Sequence, residues 1–225
     1  MKKVFYLILF ISLFGCVDYE YVRFETSQPE TVHESKLFSK KIQGDYISCS
    51  DQNDKLTITN NLILNTRILN LNAHRNDIEF DSLTTINRND DNQLRVYFIK
   101  LGYELEIKGD TIYAFYSETD TIFQVSEERV LKKFKGSYFL NFKLDDNFWE
   151  VVRLNFTKDT LLLGQIFPND TLLHYDFVSK TEEFVDADSL KPKNTEYLMK
   201  PHKKKEFKEL LKSNSFLDYE CYYKQ

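Results

Sequence analysis

Between Phe148 and Phe156 the chain alternates, with Phe148, Val152, Leu154 and Phe156 on one face and Trp149, Arg153 and Asn155 on the other. That is the two-residue period of a half-buried strand, not the 3.6-residue period of a helix. Similar short runs rich in Ile, Leu, Phe, Tyr and Thr occupy 45–48, 55–59, 62–71, 79–86, 94–99, 103–107, 112–116, 138–142, 161–167 and 172–178, separated by Asn, Asp and Gly. The pattern predicts a mainly β protein, an antiparallel meander closing into a barrel or packing as a sandwich. Hydrophobic residues make up 42% of the chain and aromatic ones 15%, so the apolar area needed for a core is present and disorder is excluded.

The meander reads as two halves. Phe38, Lys40-Lys41-Ile42 and Gly44-Asp45-Tyr46 are echoed by Val130, Lys132-Lys133-Phe134 and Gly136-Ser137-Tyr138, and Leu56 to Thr59 by Leu154 to Thr157. We expect a duplicated β-rich half at 36–130 and a second at 131–225, each opened by a short helical turn that leads through glycine into a strand. Shared turn chemistry in unrelated strands is the competing explanation. Residues 16–35, charged and without a sustained period, read as a flexible tether.

One helix is expected, over 201–212. Pro201 suits its first turn, Phe207, Leu210 and Leu211 form a stripe, and Lys203, Lys204, Lys205, Lys208 and Lys212 cover the rest. A basic amphipathic helix can lie on an anionic membrane. The narrow stripe favours a helix packed on the sheet with a solvated lysine face.

At the N-terminus Lys2 and Lys3 precede an apolar run from Val4 to Phe14 that stops at Gly15-Cys16. The run is too short to cross a hydrocarbon core of ~30 Å, and a basic start with a small residue before the cut describes a removable export signal over 1–15. The stretch Leu13-Phe14-Gly15-Cys16 resembles the lipobox of bacterial lipoproteins. The resemblance implies that Cys16 carries a diacylglycerol and an amide-linked acyl chain, making the protein a lipid-anchored resident of the cell envelope. Val17 stands where an aspartate would retain an enterobacterial lipoprotein in the inner membrane, which points to the outer membrane. Asp18, Glu20 and Glu25 resemble the acidic surface-export signals of Bacteroidota-type lipoproteins.

With Cys16 acylated, Cys49 and Cys221 remain. In an oxidising envelope they either form one disulfide or stay as buried free thiols. The Gly-x-Tyr step at Gly44 to Tyr46, echoed at Gly136 to Tyr138, is similar to the Gly-x-Trp start of lipocalin-like barrels, which take an apolar ligand. The pattern as a whole more closely resembles the β-rich lipoproteins of Bacteroidota-type bacteria, a resemblance that brings no mechanism with it.

Asp-Thr followed by Ile or Leu recurs at Thr111, Thr121, Thr160 and Thr171. Aspartate closes turns through its side chain and threonine favours extended backbone, which explains such triplets structurally. The triplet also resembles the O-glycosylation acceptor of Bacteroidota, which makes these four threonines candidate modification sites.

Catalytic motifs do not emerge. His33, His74, His174 and His202 lack metal-ligand spacing, no nucleophile elbow, Walker loop or dinucleotide glycine pattern occurs, and Asp90-Asp91 and Asp145-Asp146 read as solvated turn residues. No catalytic residue, metal or cofactor is assigned. A net charge of −5 supplies no basic field for nucleic acid. The expected partners are the membrane, through the anchor, and an apolar small molecule or an envelope protein. The first reading is therefore a lipid-anchored binding or structural protein. The alternative is an envelope hydrolase whose site is assembled from residues distant in sequence.

Overall fold

The computed structural model describes residues 19–80, 86–144, 146–184, 194–213 and 215–225. In chain order the elements are β1 (Tyr19–Phe24), β2 (Gly44–Ser48), β3 (Asp54–Ile58), β4 (Leu62–His74), helix α1 (Asp91–Lys100), β5 (Glu104–Lys108), β6 (Thr111–Gln124), β7 (Arg129–Phe134), β8 (Ser137–Lys143), β9 (Trp149–Thr157), β10 (Thr160–Ile166), β11 (Val178–Glu183), β12 (Asn194–Met199), helix α2 (Lys204–Lys212) and β13 (Phe216–Lys224). Short 3-10 turns occupy Arg75–Asp77 and Asp170–His174. The chain partitions into two units, the first built from residues up to 37, 125–158 and 162–220, the second from 38–124, 159–161 and 221–225.

In the first unit the strands run β11-β12-β1-β9-β10-β13, and β8 with β7 branches from β9. Its core gathers Phe24, Phe139, Val151, Ile166, Tyr197 and Met199 from the strands with Phe207 and Leu210 from α2. The rings of Phe139 and Phe207 meet edge to face at 5.0 Å. Glu206 caps α2 by accepting the Lys203 backbone N–H at 3.0 Å. The apolar stripe of α2 is thus buried against its own sheet, and Lys203, Lys204, Lys205, Lys208 and Lys212 stay exposed, as expected for a packed helix.

In the second unit the order β2-β3-β4-β6-β5 is antiparallel throughout, with Tyr222 to Lys224 of β13 along β2. Helix α1 lays Leu94 and Phe98 on Ile112 and Ala114. The Asp90 side chain accepts the backbone N–H groups of Asn92 and Gln93 and so starts that helix. A disulfide joins Cys49 to Cys221, their Cα atoms 5.3 Å apart.

Several expectations are corrected. Strands dominate and pair mostly antiparallel, but β1 pairs with β12 in parallel, and neither unit closes into a barrel. Each order ends on a charged strand, β11 with Lys180, Glu182 and Glu183 and β5 with Glu104, Glu106 and Lys108, a composition that keeps sheet edges open and unpaired. Residues 94–99 are helical because Leu94 and Phe98 stand four apart behind an aspartate cap. Residues 172–177 hold a 3-10 turn, and of 79–86 the described residues contain no strand. The paired openings of the two halves are not alike. Val130 to Phe134 lies in strand β7, and Lys135 and Gly136, at φ 53° and 88°, form a tight hairpin turn, whereas residues 39–42 form a turn ahead of β2. The stretch read as a tether is folded from Tyr19 on, because Val22 and Phe24 alternate with Tyr21 and Arg23 and supply core contacts. The division between units falls after Gln124, and the first unit draws in the N-terminal segment.

Candidate functional site

Parallel pairing engages all six residues of β1 with β12, from Tyr19 opposite Asn194 to Phe24 opposite Met199. On its other edge β1 meets β9 at a single point, Phe24 opposite Trp149. From there the strands part, leaving a wedge-shaped cleft of about 440 Å³ floored by Val22, Phe24, Val151 and Ile166 and rimmed by Glu20, Arg23, Glu150 and Gln165. The Glu25 N–H donates to the Met199 carbonyl at 3.0 Å. Backbone groups alternate in direction along a strand. Phe24, Val22 and Glu20 therefore point their N–H and C=O groups away from β12. Those of Phe24 meet β9, and those of Val22 and Glu20 face the cleft.

Arg23 marks the rim. Its guanidinium is ion-paired with Asp146, lies 3.6 Å from Glu196 through Nε, and sits 4.4 Å above the Tyr21 ring. Burial of its carboxyl end raises Glu150 above the usual carboxylate range, although the residue as a whole keeps access to solvent at the cleft mouth. Neither Glu20 nor Glu150 has an ion-pair partner among the described residues. The arrangement can hold a ligand that complements a strand edge, an apolar floor and an excess of negative charge.

A wider depression of about 800 Å³ lies between β11 and α2, lined by His174, Tyr175, Phe177, Lys200 and His202 among others. Two of its basic groups already have acidic partners: Lys200 lies 2.9 Å from Glu25, and His202 Nδ1 lies 2.8 Å from Glu30. Tyr175 and Phe177 stack on each other at 5.1 Å.

The residues singled out from the sequence scatter. Cys16 lies outside the described residues, as does Asp145. Cys49 and Cys221 form the disulfide. Thr111 and Thr160, half-buried, start strands after tight turns, whereas Thr121 is exposed within β6 and Thr171 is exposed in the 3-10 turn, bonded to Asn169. Of the four histidines, His174 and His202 line the same depression. Among the described residues no group of three or more metal-ligating side chains is placed to hold a metal, and no helix is long and apolar enough to cross a membrane. Asp90 caps α1 and Asp91 pairs with Arg75. Asp146, read as a solvated turn residue, holds Arg23. Arg23 and Glu150 carried no motif and Glu20 was read only as part of an acidic export signal; the signal that could have found Glu20 and Arg23 as site residues is the alternation of Tyr21, Val22, Arg23 and Phe24.

No protein-family model, curated protein or solved structure matches this chain.

Proposed function

We propose that the protein is a lipid-anchored binding protein of the bacterial cell envelope, held in the outer membrane through Cys16, with the β1–β9 cleft as its ligand site. The observation that carries this reading is the strand edge of Glu20 and Val22 left open over an apolar floor, since concave apolar sites with a few directed polar groups are where ligands bind. The Cys49–Cys221 disulfide supports an extracytoplasmic address. Two residues separate Cys16 from Tyr19, three steps of chain that span at most about 11 Å, so an acylated Cys16 sets β1 beside the membrane surface.

Fractionation tests the anchor: Cys16→Ala is expected to move the protein from the membrane to the soluble envelope fraction, and an unchanged distribution overturns that part. Native mass spectrometry of protein purified from its own envelope tests the site. A bound species lost on Glu20→Lys is expected; a mass free of any adduct removes the cleft as a ligand site. The glycan reading carries over to Thr121 and Thr171, the two exposed acceptors. An intact mass without added hexose discards it.

A further inference from the structure

We infer that the cleft receives an extended, basic segment of a partner protein, which adds to the free edge of β1 as a further strand. This rests on the reading of the cleft as the ligand site and names its ligand.

The first argument is hydrogen bonding. The N–H and C=O groups of Glu20 and Val22 are spaced two residues apart along one edge, and in the described residues no strand takes that edge up beyond the Phe24–Trp149 pair. Another main chain in extended conformation complements such a row. A lipid chain laid there would cover those groups without bonding them, at a cost of about 1–3 kcal/mol for each group left unsatisfied. The wedge also has a closed end: Phe24 and Trp149 stop the incoming strand and fix its register against β1.

The second argument is charge. Among the described residues that line the cleft Arg23 is the single cation, and Asp146 and Glu196 lie against it. Glu150, and Glu20 on the same strand face as Val22 and Phe24, are left to set the sign of the cleft, which favours lysine or arginine in the ligand. The third argument is the floor. Val22, Phe24, Val151 and Ile166 are apolar, and in an extended ligand alternate side chains point down while their neighbours point to the rim. Alternating basic and apolar residues satisfy both surfaces.

The test uses the full mature chain and the hexapeptide acetyl-Lys-Val-Lys-Val-Lys-Val-amide, read by calorimetry, with an alternately N-methylated copy and a Glu-Val analogue as controls. Binding is expected for the parent peptide, weakened about tenfold or more by N-methylation, because the loss of one or two backbone hydrogen bonds is of that order. Val22→Pro, which removes one cleft-facing N–H and leaves the β12-facing bonds of Tyr21 and Arg23, is expected to weaken binding to a similar extent. Should that variant fail to fold, Glu20→Gln with Glu150→Gln takes its place, since it weakens the Lys-Val peptide and leaves the backbone untouched. Equal affinity for the parent and N-methylated peptides overturns strand addition, and equal affinity for the Glu-Val analogue overturns the basic ligand. Absence of peptide binding, with a lipid or glycan adduct that disappears on Glu20→Lys, overturns the peptide and keeps the cleft as a ligand site. Absence of both overturns the two readings together.

Discussion

Asp218 on β13 reaches across Gly164 of the intervening strand β10 to Arg153 on β9, closing a 2.8 Å ion pair over a strand that has no side chain at that point. A Cβ placed on Gly164 would lie 2.7 Å from the Asp218 carboxylate and 3.0 Å from the Leu217 carbonyl. The glycine is a gap that the carboxylate fills. Gly164→Ala forces both the side chain and the neighbouring backbone to move, and a loss of about 1–3 kcal/mol in a denaturant titration is expected. A neutral result would show that Asp218 swings away freely.

Reduction of the disulfide removes a link between residues 172 apart in sequence. Chain-entropy reasoning gives about 2–5 kcal/mol for such a bridge. Unfolding midpoints measured with and without thiol reductant, and for Cys221→Ser, are expected to fall by matching amounts. If only the reductant has an effect, the loss arises elsewhere.

Glu150 supplies a pH dependence of defined sign. Its carboxyl binds protons more tightly in the folded than in the unfolded chain, because burial disfavours the anion. The cost is nil below the ordinary carboxylate range and appears as pH rises through the raised value. Glu150→Gln is therefore expected to raise the melting temperature at neutral pH and to leave it unchanged near about pH 3. An equal shift at both pH values would assign the effect to packing.

Lys132 and Asn141 hold the segment after β1. The Lys132 ammonium, 4% exposed, donates to the carbonyls of Ser27 at 2.9 Å and Pro29 at 3.1 Å. Asn141 accepts the Gln28 N–H, and its amide nitrogen lies within 3.1 Å of the Gln28, Val130 and Phe139 carbonyls, one more acceptor than its two hydrogens can serve fully. Burial pulls the Lys132 pKa down, and the charges of Glu34 and Glu30 oppose the shift. The penalty on the buried ammonium is thus relieved as alkaline pH passes the lowered value. Lys132→Met is expected to cost about 1–3 kcal/mol through the stranded carbonyls and to speed amide exchange across 25–36. Unchanged exchange there would rule out the clasp.

Periodicity is what the sequence announces: the alternation at Phe148 to Phe156 became β9, although Val151 on the face opposite Val152 and Leu154 is buried as well, and the stripe of Phe207 and Leu210 became the buried face of α2. Leu94, Val96 and Phe98 satisfy a two-residue period, while Leu94 and Phe98, four apart, also satisfy a helical one, and the aspartate cap that decides between them was read as part of a turn. Pairing order is set by tertiary packing, so the parallel neighbours β1 and β12 were not legible. The cleft combines residues near 20, 150 and 165, each of which looks like ordinary strand chemistry until the divergence of β1 from β9 brings them to one rim.

The partners of β1 lie 175 residues downstream, at the spacing that separates Glu25 from Lys200. A chain made from its N-terminus presents β1 first, yet β1 gains its full ladder only when β12 has arrived. Until then Val22 and Phe24 lack the β12 side of their core, so assembly of the first unit waits for nearly the whole polypeptide to be made. The first strand made is thus among the last to be secured, which makes the interval before β12 arrives the step at which a chaperone has most to protect.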